Sequence, residues 1–231
     1  MKEDYKVRFS DAPWAKFSEE IVVGGAGGTG TWTSLLLARA GHKLIIYDYD
    51  LYEDNNVAGQ FMQPSDVGKL KVVALKDNII NFCGKESSVD VIGDKYDKDS
   101  MVTPIMVSCF DSMSARKIFF ENWLSQEDRQ LLIDTRQNAE NRDVFFVLKG
   151  QEDRYKAELF NDDDLTYSVP CSYKATSHTG AGTAEVVLCG LNNYLSNVSF
   201  ANELGSKYED IRRLPFKVSD DLTQFNRVIT C

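Results

Sequence analysis

The chain is 231 residues long, carries a formal charge of −9 and is 43% hydrophobic, which is material for a sizeable core. This acidic balance excludes the basic face that a nucleic-acid backbone requires, and no run of about eighteen apolar residues is present to cross a membrane. The charged opening, MKEDYKVRFSDAPW, lacks the apolar centre of a signal peptide, and the five cysteines form no C-x-x-C pair, so a cytoplasmic protein without a disulfide framework is expected.

Residues 1–20 read as a polar arm containing Arg8, with Trp14 and Phe17 anchoring a short helix beside the first strand. Ile21, Val22 and Val23 make the apolar run of a strand buried on both faces. The stretch GAGGTG follows at once and fits G-x-G-x-x-G through Gly25, Gly27 and Gly30, with Gly28 between them. Glycines there permit a sharp turn and let the backbone approach a phosphate without a Cβ in the way. A helix over 31–40 then presents free N–H groups and the positive end of its dipole to that anion. Gly41 stops the helix, 44–47 form a second strand, and Asp48 ends it near the spacing at which an acid meets a ribose hydroxyl. The plainer alternative is a glycine turn that serves only helix–strand packing.

A polar loop over 53–56 leads to Pro64-Ser65-Asp66, which reads as a helix entry. From Lys69, the residues Val72, Val73, Leu75, Ile79, Ile80 and Phe82 fall on one broad helical face. Strands are expected at 88–92 and 103–110, the latter ending in Asp111. A helix follows over 112–123, then a strand at 131–133 ending in Asp134. Residues 143–149 begin a strand–turn–strand regime, the acidic run 161–164 reads as a solvated loop, and 180–195 as a buried helix. The polar tail from 206 finishes in an edge strand at 225–229. The expected fold class is a Rossmann-like, doubly wound, mostly parallel α/β sheet with a mixed C-terminal extension. One unit over 1–231 is expected, divided into the arm (1–20), a nucleotide-binding core (21–135) and a mixed partner-binding and C-terminal part (136–231).

Ligands of such sheets sit at the carboxyl ends of the strands, where the glycine motif, Asp48 and Asp111 converge. A carboxylate facing a triphosphate is repelled unless a cation lies between them, so Asp111 points to Mg²⁺. Lys71 is placed to neutralise phosphate charge, although a single helix lysine is by default an exposed one. Arg116 either supports that site or pairs with Asp111.

Taken in order, GGAGGTGTW, LARAG, IYDYD, NVAGQF, DVGKLK and CFDSMSAR resemble the ThiF/MoeB/HesA superfamily, whose fold is shared with ubiquitin-activating enzymes. The resemblance runs from about residue 20 to 117 and more loosely to 195, and the short chain is similar to stand-alone ThiF-like proteins of phages and mobile elements. It implies ATP and Mg²⁺ as cofactors, and adenylation of the C-terminal carboxylate of a small ubiquitin-like or sulfur-carrier-like protein, or of a peptide. It also implies a homodimer. Asp48 and Asp50 match the family's D-x-D, with Asp48 on the ribose. Asn56, Gln60 and Lys71 would approach the phosphates, Asp111 would hold Mg²⁺, and Ser112 stands where the family usually has asparagine.

Three departures bear on that expectation. Gly59 occupies the position of the family's catalytic arginine, removing a bidentate phosphate donor. Either Arg8 from a second subunit's arm replaces it, or adenylation is impaired. The C-x-x-C pairs of zinc-bearing members are missing, so no zinc is expected. An acidic insert, 151–164, falls near the partner-binding side. Cys171 precedes the 180–195 helix, where activating enzymes carry a nucleophilic cysteine; its alternative is a buried structural thiol, as Cys109 and Cys189 are expected to be. Two other functions stay open on the residues alone: a nucleotide- or protein-binding relative without catalysis, and an NAD-dependent oxidoreductase, which would leave Lys71 and Asp111 without a role.

Overall fold

The short apolar runs of the first half become β1 (Glu20–Gly24), β2 (Lys43–Tyr47), β3 (Val89–Ile92), β4 (Ile105–Ser108) and β5 (Leu131–Asn138), paired in parallel. After a turn at Ala139, the chain continues antiparallel through β6 (Asn141–Leu148), β7 (Lys217–Asp221) and β8 (Asn226–Thr230). This computed structural model describes residues 9–84, 87–162, 176–205, 207 and 210–231, so Arg8 and Cys171 lie outside it. Among the described residues the strands form one eight-stranded sheet of order β3-β2-β1-β4-β5-β6-β7-β8.

Alternation along the strands separates two cores. On one face Ile21, Val23, Leu44, Ile46, Val107 and Ile133 pack with α1 (Gly28–Arg39), α2 (Lys71–Cys83) and α5 (Ser177–Leu204). On the other, Val22, Ile45, Met106 and Leu132 meet Phe119, Phe120 and Trp123 of α3 (Met113–Leu124) and Tyr155 of α4 (Glu152–Lys156). Each fully buried Leu, Ile or Phe contributes ~1.5–3 kcal/mol, and burial on both faces explains why the central strands read as continuous apolar runs. β2 and β3 lie to one side of β1, and β4 and β5 to the other. The winding therefore reverses between the carboxyl ends of β1 and β4, and a crevice opens where it reverses.

Several boundaries differ from expectation. α1 begins at Gly28, not at residue 31, so its N-terminus lies inside the glycine motif. The arm forms a 3₁₀ turn, Pro13–Lys16, that packs mainly on α5, not beside β1. β7 has the polar sequence KVSDD; Val218 and Asp220 face inward, and Asp220 is buried because Arg142 and Arg227 neutralise it at 2.7 and 2.6 Å. α5 runs on to Leu204 because its later polar residues are paired: Asn197 donates to Arg212 O at 2.7 Å and accepts from Arg212 N at 2.8 Å. Cys189 is exposed, not buried, and Cys109 is half-buried. Among the described residues no helix is long and apolar enough to cross a membrane.

Candidate functional site

The glycine motif sits at the reversal point, and its glycines are required for different reasons. Gly25 has φ of +94°, a conformation that L side chains rarely adopt, and a Cβ there would stand 2.8 Å from Cys109 O. A Cβ on Gly30 would stand 1.9 Å from Gly25 O, so the turn closes only without one. A Cβ on Gly27 would meet nothing within 4 Å among the described residues. Packing among the described residues does not require glycine at that position, which is open on that side. Gly27 is the N-cap of α1 with no side-chain hydrogen bond, so the first N–H groups of the helix have no partner within it.

Asp48 braces this loop. Its carboxylate accepts from Ala26 N at 2.7 Å and from Asp50 N at 2.8 Å. Burial raises the Asp48 carboxyl above its usual range, against the opposing pull of those two N–H groups and of Lys71. Each carboxylate oxygen has a further lone pair, so a ribose hydroxyl can still be accepted.

Lys71 is buried, not the exposed helix lysine of the default reading. It opens α2, where the dipole disfavours a cation, and Asp50 Oδ2 at 2.7 Å compensates. A phosphate would serve the same purpose.

The 53–62 loop is laid on the start of α1. Trp32 Nε1 donates to Gly59 O at 3.1 Å, and Phe61 N donates to Thr31 Oγ1 at 3.0 Å. Asn56 shapes the loop, accepting from Glu53 N at 2.9 Å through its side chain and from Gly59 N and Gln60 N through its carbonyl. Gln60 Oε1 is buried with no partner among the described residues.

Asp111 follows the carboxyl end of β4, is exposed, and has no hydrogen-bond or ion-pair partner among the described residues. Ser112 is the N-cap of α3, accepting from Ala115 N at 3.3 Å. Arg116 does not pair with Asp111. It is buried, donating from Nε to Asp134 Oδ1 at 3.0 Å and from Nη2 to Thr135 O at 2.8 Å, while Arg136 holds the other oxygen of Asp134 at 2.8 Å. Of the acidic run 161–164, residues 163 and 164 lie outside the described residues; Asp162 is exposed, as a solvated loop requires, yet also accepts from Met113 N at 2.6 Å and Ser114 N at 3.0 Å.

An open glycine turn, helix N–H groups with no partner within the helix, Asp48 and the buried Lys71 converge on the crevice, and a nucleotide is a ligand these groups could hold. No group of three or more His, Cys, Asp or Glu able to hold a metal occurs among the described residues. Asp111 alone suits Mg²⁺, which is usually bound through one or two carboxylates together with phosphate and water. Cys109 lies at the crevice, but burial pushes its thiol up to about 11, which makes it a poor nucleophile. A shallow depression of about 290 Å³ between the 63–66 turn and α2 includes none of these residues.

Three contacts gave no sequence signal. Thr29 Oγ1 donates to Gln137 Oε1 at 2.6 Å, tying α1 to the β5 hairpin. Gly180 lies against Gly28 O, so α5 begins beside the glycine motif. The Asp134 cluster joins α3 to β5. Each depends on segments brought together only by the fold.

The ThiF family model matches residues 15–194. Ubiquitin-like modifier-activating enzyme 5 of Caenorhabditis elegans is 28% identical over 149 residues, covering 57% of this chain and 35% of that protein. The Gallus gallus enzyme of the same name is 25% identical over 150 residues, covering 57% and 37%. The chain thus spans about a third of the length of these curated relatives. Among solved structures, E. coli MccB with AMPCPP and MccA superposes at a TM-score of 0.70 with 16% identity, covering 99% of this chain and 71% of that one. PaaA superposes at 0.67 with 20% identity, covering 94% and 64%. Identities this low establish a shared fold.

Proposed function

This chain belongs to the ThiF family, and we propose that it uses ATP to adenylate the C-terminal carboxylate of a peptide or small protein. The observation that carries this reading is the crevice, where the open face of Gly27, the buried Lys71 with its exposed partner Asp50, and Asp111, which has no partner among the described residues, stand at one reversal point. The first and last are what a phosphate chain and its cation need, and the pair puts a lysine at a helix start where an anion is favoured.

In this reading the acceptor carboxylate attacks the α-phosphate of ATP, pyrophosphate leaves, and an acyl adenylate remains. Asp48 binds the ribose and the first N–H groups of α1 bind phosphate. Lys71 leaves Asp50 for the departing pyrophosphate, whose charge it stabilises. Asp111 holds Mg²⁺, which supplies charge neutralisation when bound. Asn56 and Gln60 approach the phosphates with their side-chain amide N–H groups. Cys171 then attacks the acyl carbon and AMP leaves, giving a thioester. Arg8 from the arm of a second copy supplies the guanidinium that Gly59 lacks, so the working form is a homodimer. A ubiquitin-like acceptor is favoured by the activating-enzyme relatives, and a peptide by MccB solved with MccA.

Titration calorimetry with ATP and NAD, each with and without Mg²⁺, tests the site. The reading expects ATP to bind, Mg²⁺ to strengthen it, and Asp111→Asn to remove most of that gain. Preference for NAD, or equal losses with and without Mg²⁺ in Asp111→Asn, would contradict it. A second reading, nucleotide binding without chemistry, is favoured by the absent side chain at Gly59.

A further inference from the structure

Beside Asp111, the stretch 158–162 is strung across α3 and β5. Arg136 donates from Nη1 to Glu158 O at 2.9 Å, and its guanidinium lies 5.9 Å from the centre of the Phe160 ring. Lys117 Nζ donates to Asn161 Oδ1 at 2.7 Å. Asp162 then accepts from Met113 N at 2.6 Å and Ser114 N at 3.0 Å.

The last pair of bonds bears on Asp111. Met113 and Ser114 open α3, so their N–H groups have no carbonyl partner within the helix. Ser112 caps Ala115 N instead, leaving both for Asp162. The bond from Met113 N, with that from Ser114 N, holds the Asp162 carboxyl below the usual carboxylate range, so it is an anion at the positive end of the dipole. Asp111 is exposed and has no side-chain partner among the described residues, so it is the backbone that carries it that sets where its Cβ stands and which directions its carboxylate can reach. Only Ser112 separates it from a turn clamped from outside the helix.

We propose that Asp162 is a positioning residue, which by clamping the first turn of α3 holds Asp111 in the direction that receives a nucleotide-borne divalent cation. This rests on the reading of Asp111 as the carboxylate for that cation. Asp162 acts through backbone geometry and touches neither ATP nor the metal.

The test is calorimetry of ATP binding, with Mg²⁺ and separately with a chelator, on the wild type, Asp162→Ala and Asp162→Asn. Thermal unfolding is recorded in parallel. Asp162→Ala is expected to bind Mg·ATP about tenfold more weakly and metal-free ATP within about twofold of wild type, as when the support of a metal-binding side chain is lost. Asp162→Asn, whose amide oxygen still accepts one N–H, is expected to stay within about threefold of wild type for Mg·ATP and is the variant to use if the alanine fails to fold. Unchanged Mg·ATP binding in Asp162→Ala overturns the proposal. So does equal weakening with and without metal, or an asparagine variant as weak as the alanine, which would mark a charge effect and not a held geometry. A wild type that gains nothing from Mg²⁺ overturns the reading of Asp111 itself, and the proposal falls with it.

Discussion

Replacing Gly27 by alanine should spoil nucleotide binding and spare the fold, while the same change at Gly30 should do damage first to the fold. At Gly27 the added methyl meets nothing within 4 Å among the described residues, and φ of −83° with ψ of −156° is open to any L residue. Two small effects on stability oppose each other there: alanine is the poorer N-cap and glycine the more flexible residue in the unfolded chain, each worth ~0.5–1 kcal/mol. The melting temperature should therefore stay within about 3 °C of wild type. A phosphate seated on that open side would lose at least one charge-assisted bond to backbone N–H, ~1.5–3 kcal/mol, so ATP should bind roughly 10- to 100-fold more weakly. At Gly30 the methyl would stand 1.9 Å from Gly25 O, which is backbone and must move. Overpacking of this kind costs ~1–3 kcal/mol, or roughly 2–12 °C in a chain of this length. Thermal melts and ATP calorimetry on both variants decide the matter. If Gly27→Ala binds ATP as the wild type does, the motif is a packing turn and nothing more.

Asp48→Ala should weaken ATP binding by ~1–3 kcal/mol, and the wild type should discriminate against 2′,3′-dideoxy-ATP by a similar margin. Equal binding of the two nucleotides to the wild type would remove the ribose assignment, leaving Asp48 as the brace for Ala26. Asp220→Ala leaves the buried Arg142 guanidinium without its partner and should cost ~3–5 kcal/mol in urea unfolding at pH 7; a loss under about 1 kcal/mol would mean that the pair contributes little. Burial opposes ionisation of Asp220, yet bonds from Arg227 and Arg142 outweigh it and lower its pKa. Its stabilisation should be present above the ordinary value of 3.8 and fade as pH falls through the lowered one. Asp220→Asn should flatten the acid limb of the stability profile, and an unchanged limb would assign that loss to other carboxylates.

The parallel half of the sheet was legible because its strands are buried on both faces and announce themselves as apolar runs. Glycine and acid spacing located the crevice for the same reason, since both are local. The antiparallel end was less legible. β7 is polar in sequence, and the buried place of Asp220 depends on Arg142 and Arg227 from neighbouring strands. Charge partners were the commonest error. Arg116 lies five residues past Asp111, but one turn of α3 carries its guanidinium inward to Asp134 on β5. Asp162 reads as one of several solvated acids until the fold brings it to the start of α3, about fifty residues earlier in sequence. Lys71 shows the converse, a lysine with no sequence sign of burial that the bond to Asp50 holds in place.

The central claim is adenylation, and exchange of labelled pyrophosphate into ATP measures that step alone. The wild type is mixed with ATP, Mg²⁺ and a panel of small proteins and peptides with free carboxyl termini, including one ending in Gly-Gly. At least one acceptor should drive exchange, and Lys71→Ala should slow it by ~10²–10³, the scale seen when one preorganised charge donor is lost. Cys171→Ser should leave exchange intact, because a thiol would act only after the adenylate forms. If the wild type binds Mg·ATP and exchanges pyrophosphate with no acceptor, or if Lys71→Ala exchanges at the full rate, the proposed chemistry is contradicted.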